Sequence, residues 1–85
     1  MKLDDRIRAL IAVGASITAN CQPCLQSTLA MAVESGAEPP EIAEAIEVGK
    51  MVRRGAASKM DKFAASLDPA VPLEAVPSAE GCGCR

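Results

Sequence analysis

The chain has 85 residues, nine basic and eleven acidic side chains, no histidine and a net charge of −2, so it makes one domain near the lower limit for an independent core. No basic cluster exceeds Arg53-Arg54, which argues against a nucleic-acid partner, since backbone binding needs concentrated positive charge; that pair is expected on a solvated helix face. Phe63 is the single aromatic, so the core must come from Ala, Ile, Leu, Val and Met, with Met31, Met51 and Met60 read as filler.

Leu3, Ile7, Leu10, Ile11, Gly14, Ile17 and Thr18 recur at three- and four-residue intervals and predict a first helix from about Asp4 to Ala19. Lys2 ahead of the apolar run 9–15 resembles the opening of a targeting segment. Asp4 and Asp5 put negative charge where such a segment wants positive, and the run is short, so none is expected. No stretch approaches the roughly 20 apolar residues of a membrane span. A cytoplasmic protein with no membrane partner is the expectation, and there a CxxC pair is more often redox-active or metal-binding than a structural staple.

The run Ala19-Asn20-Cys21-Gln22-Pro23-Cys24-Leu25 opens the second helix. Asn20 is its expected N-cap, Pro23 falls in the first turn, where its missing N–H costs nothing, and Gly36 supplies the stop. Leu25, Leu29, Ala32 and Val33 form its apolar face. A helix start presents unpaired N–H groups and the positive end of a macrodipole, both of which favour thiolate over thiol. On these grounds Cys21, at or before the first turn, is expected to be the more exposed sulfur and the better thiolate. Cysteines three apart on one turn are near enough for a small adjustment to close a disulfide.

Pro39-Pro40 opens a third helix, with Glu41 and Glu44 near its positive end. Ile42, Ala45, Ile46, Gly49, Val52, Ala56, Met60, Phe63 and Leu67 keep helical spacing as far as Asp68-Pro69. One continuous helix is expected, with Gly49 permitting close helix approach. At 1.5 Å per residue it extends about 40 Å, roughly twice the reach of the second helix, and its apolar stripe outruns its intrachain cover; a homo-oligomer is the remedy. An all-α domain over 1–67 is therefore followed by an extended tail over 68–85, with three prolines and the ending Gly81-Cys82-Gly83-Cys84-Arg85.

Three readings of the cysteines stand side by side. Cys21 and Cys24 form a cycling dithiol, a soft-metal or metalloid site completed by Cys82 and Cys84, or a pair of small buried hydrophobes. In the first reading the tail cysteines relay electrons to the CxxC by disulfide exchange. Ser27 and Thr28 are expected to be helix-surface hydroxyls, and no cofactor is called for.

The order Gly14-Ala15-Ser16, Asn20-Cys21-Gln22-Pro23-Cys24, Ala30-Met31-Ala32, Gly36-Ala37 and Glu41-Ile42-Ala43-Glu44-Ala45 resembles the carboxymuconolactone decarboxylase-like family, which includes the alkyl hydroperoxidase D-like thiol peroxidases. The resemblance covers about residues 3 to 67. It implies an all-helical fold whose subunits interlock, peroxiredoxin-type activity with an external thiol reductant, Cys24 as the peroxide-attacking sulfur and Cys21 as its resolving partner. Peroxidases of the family also carry a glutamate upstream and a histidine downstream of the CxxC as a proton relay. Here those places hold Ala9 and Thr28. Decarboxylation is not expected, because nothing in this stretch would bind a dianionic lactone.

Overall fold

The computed structural model describes residues 2–67, and these form three helices, α1 (Asp5–Thr18), α2 (Gln22–Glu34) and α3 (Pro39–Leu67). The expected tail over 68–85, with Cys82 and Cys84, lies outside the described residues. The chain divides into two compact units, Met1–Gly55 and Ala56–Arg85. The first contains α1, α2, the opening part of α3 and the cysteine pair. Of the second, the described part is the helical stretch 56–67, in which every residue is exposed.

The starts of the three helices and the ends of α1 and α2 fall where the backbone finds substitute partners. Asp4 is extended and its carboxylate accepts the Ile7 N–H at 2.8 Å, capping α1. At the other end of α1, Asn20 adopts a left-handed conformation with φ 56°. The Asn20 N–H returns to the Ile17 carbonyl at 3.0 Å and the Cys21 N–H to the Ser16 carbonyl at 3.1 Å, the pair of bonds that defines a Schellman ending. Asn20 is therefore the left-handed residue that closes α1, and Cys21 is the N-cap of α2. The expectation that Asn20 caps α2 is corrected by one residue, because asparagine is also the commonest non-glycine in this conformation. Gly36 ends α2 as expected, with φ 90° and the same two-bond closure through Val33 and Ala32.

The core of the first unit is built from small side chains, Ala9, Val13, Ala32 and Ala37, against which Leu10, Leu25, Leu29, Ile42, Ala45 and Ile46 pack. Val13 is the largest side chain that is fully buried. In α1 the buried face is thus Ala9, Val13 and Ser16; Leu3 and Ile11, expected on the buried stripe, are exposed. Leu3 precedes the Asp4 cap and lies outside the helix, and Ile11 falls off the face of Ala9, Val13 and Ser16 that packs inward. Val33 and Val52 are likewise exposed, and so are Met31, Met51 and Met60, which do not fill the core.

Gly49 is buried in α3 and marks where α3 meets α1. A Cβ there would lie 2.5 Å from the Gly14 carbonyl oxygen and 2.8 Å from the Ile17 Cβ, so only glycine allows this approach. The Thr18 hydroxyl donates to the carbonyl oxygens of Gly14 and Gly49, each at 3.1 Å. Close backbone approach is the role expected of Gly49.

Candidate functional site

Cys21 and Cys24 are joined as a disulfide with Cα atoms 5.2 Å apart, at the corner between α1 and α2. Their order of exposure is the reverse of the expectation: Cys24 is exposed and Cys21 half-buried. The reason lies in the corner. Cys21 is drawn against α1 by its N–H bond to Ser16, whereas Cys24 stands on the outer side of the first turn of α2.

The cap of α2 is made by sulfur. Cys21 Sγ accepts the Cys24 N–H at 3.3 Å, and the Cys21 carbonyl takes the Leu25 N–H at 3.0 Å. N-cap side chains reach the second or third helical amide, and with Pro23 in the second place that amide carries no hydrogen. The proline thus directs the cap bond to Cys24. No acidic residue lies in the first turn of α2, so nothing on that turn opposes negative charge on the cap sulfur.

Two groups behind the corner carry no role in the sequence reading. Ser16 is the buried polar residue of the core, at 6% exposure. Its hydroxyl donates to the Ala12 carbonyl at 2.8 Å and lies 3.3 Å from the Thr28 hydroxyl oxygen. Thr28 is half-buried and also donates to the Leu25 carbonyl at 3.2 Å, so it is not the surface hydroxyl expected; Ser27 is exposed. Arg53 is the second group. Its guanidinium Nη1 donates to Asn20 Oδ1 at 2.9 Å and to the Ile17 carbonyl at 3.3 Å, clasping the left-handed residue next to Cys21. Arg53 therefore departs from the solvated-face expectation, while Arg54 meets it. The available sequence signals were a serine at the spacing of Ala9 and Val13, and an arginine four residues after Gly49.

Among the described residues no group of three or more His, Cys, Asp or Glu side chains is placed to hold a metal ion. The four-thiolate set needs Cys82 and Cys84, which lie outside the described residues. A groove of about 400 Å³ between α1 and α3, lined by Leu10, Ile11, Thr18, Val48 and Val52 among others, contains neither described cysteine. Among the described residues, no helix is long and apolar enough to cross a membrane.

Helices meeting at a corner that presents a CxxC pair define an all-helical thiol protein. Residues 1–68 match the carboxymuconolactone decarboxylase family, and the chain belongs to it. No curated protein and no solved structure matches the chain. Of the two positions at which the sequence resemblance would place a proton relay, Ala9 is fully buried in the apolar core and Thr28 is half-buried, its hydroxyl oxygen 3.3 Å from that of Ser16. Neither can hold a titrating proton.

Proposed function

We propose that the protein is a thiol–disulfide redox protein that reduces peroxides through Cys21 and Cys24, akin to the alkyl hydroperoxidase D-like branch of its family. The observation that carries this reading is the disulfide itself, set at the N-terminus of α2 with one sulfur exposed and the other accepting a helix amide. In the forward half-reaction the Cys24 thiolate attacks the peroxide, the O–O bond breaks, and an alcohol leaves with sulfenic acid on Cys24. The Cys21 thiolate then displaces water, which forms the disulfide. Two thiols from an external reductant restore the dithiol. Cys82 and Cys84 are proposed to relay those electrons.

Without a carboxylate–imidazole relay, the thiolate depends on the helix end, and proton delivery to the leaving alkoxide falls to solvent. Slow turnover is the expected consequence. The test is to titrate thiols of the reduced protein against stoichiometric cumene hydroperoxide, alongside the metal content of protein purified under reducing conditions. Loss of thiols from Cys21 and Cys24 in step with peroxide is expected, with the disulfide abolished in both Cys21→Ser and Cys24→Ser and oxidation of the former stopping at sulfenic acid on Cys24. Tightly held metal with thiols protected from the peroxide would favour the soft-metal reading instead.

A further inference from the structure

The disulfide is asymmetric in a way that bears on its reduction, the half of the cycle in which the oxidised protein is the electrophile. We propose that an incoming thiol attacks Cys24 Sγ and expels Cys21 as the leaving thiolate, so that the mixed disulfide with the reductant forms on Cys24. This assignment rests on the redox reading above and divides the labour of its two sulfurs.

Three observations converge on it. Cys24 is exposed and Cys21 half-buried in the disulfide form, and exchange requires a straight line of approach to the sulfur under attack. Cys21 Sγ already accepts the Cys24 N–H, so the charge that develops on the departing sulfur falls on a group holding an amide hydrogen bond at the positive end of α2. The backbone of Cys21 is held on both sides independently of the S–S bond, by its N–H to Ser16 and its carbonyl to Leu25, so the sulfur stays at the cap after release. Attack on Cys21 would instead release Cys24, a sulfur that accepts no hydrogen bond among the described residues, while the amide-holding sulfur stayed in a disulfide with the donor. A better-stabilised thiolate is the better leaving group.

The step balances as follows. The attacking thiolate forms a bond to Cys24 Sγ, the Cys21–Cys24 bond breaks, and its electron pair remains on Cys21. A second thiol, on the same donor or another, then attacks the donor sulfur of the mixed disulfide. The donor leaves as its own disulfide, and Cys24 is freed as thiolate. Two electrons pass from donor to protein, and solvent supplies protons as the thiolates require them. The exposed neighbours of Cys24 on α2, Gln22, Pro23, Gln26 and Ser27, are uncharged. Arg53, the cation of this corner, is engaged with Asn20 and Ile17.

The test uses the oxidised full-length chain mixed with limiting glutathione, quenched in acid within the first turnover, blocked with N-ethylmaleimide and mapped by fragment-ion mass spectrometry. Glutathione is expected on Cys24 and maleimide on Cys21, in about tenfold excess over the reverse pattern. Equal partition, or glutathione mainly on Cys21, overturns the assignment while leaving redox cycling intact. A disulfide that captures no glutathione and resists excess dithiothreitol overturns both the assignment and the redox reading.

Discussion

Glu41 shows how a single side chain sets the start of α3. Its Oε1 accepts the Glu38 N–H at 3.0 Å, and the Glu38 carbonyl takes the first helical amide, from Ile42, one arm of a capping box. That backbone hydrogen bond is the main cause of a carboxyl pKa held below its usual 4.5; slight desolvation opposes it, and the guanidinium of Arg6 adds to the lowering. Because the folded value is the lower one, the stabilisation is complete above the unfolded value and is lost as pH falls through the folded value. Glu41→Gln should therefore melt below the parent protein at pH 7, and the gap should close as the solution is acidified through the carboxylate range. Thermal melts of both proteins across pH 2.5–7 provide the check; a gap that persists unchanged in acid would show that the charge is not what stabilises the start of α3.

At the scale of elements, two glycines on α3 should respond in opposite directions. Gly49→Ala forces a methyl against the Gly14 carbonyl and Ile17, neither of which is the far end of a flexible side chain, and should destabilise by about 1–3 kcal/mol. Gly55 has open space where its Cβ would go, so Gly55→Ala should stabilise by about 0.5–1 kcal/mol through backbone entropy alone. Urea titrations of the pair provide the measurement, and a stabilising Gly49→Ala would contradict the close approach of α1 and α3. The starts of α1 and α3 and the end of α2 were legible in sequence, since Asp4, Pro39 and Gly36 each punctuate the chain by a local mechanism. The corner was legible only to within one residue. Asparagine favours both the N-cap and the left-handed position, and nothing local states that a cysteine will take over the cap. The reversed exposure of Cys21 and Cys24 follows from that one-residue shift. Ser16, Thr28 and Arg53 were less legible still, because their roles depend on contacts between helices, 12 residues apart for Ser16 and Thr28 and 33 for Arg53 and Asn20.

At the scale of the whole molecule, large apolar side chains stand exposed that the other described residues leave uncovered. Met51, Met60, Phe63 and Leu67 are 56–64% exposed, and the largest fully buried side chain is a valine. We propose that further copies of the chain cover this surface, as the length of α3 led the sequence reading to expect. The melting midpoint should then rise with protein concentration, and the mass in solution by light scattering should exceed the 8.8 kDa of one chain. A monomeric mass together with a concentration-independent melt would refute it. Phe63→Glu is expected to weaken the assembly without disturbing the corner of α1 and α2.

The corner where α1 ends and α2 begins has one more implication, which concerns information. The amides of Asn20, Cys21, Cys24 and Leu25 all have acceptors within the chain, and none of those bonds requires the sulfurs to be joined. Opening or closing the disulfide is therefore expected to leave the scaffold nearly the same, so that the oxidation state is written in the identity of one bond rather than in a shape. On the redox function proposed above, another molecule would then have to react with the sulfur to learn that state, an arrangement suited to conveying electrons rather than to broadcasting a signal.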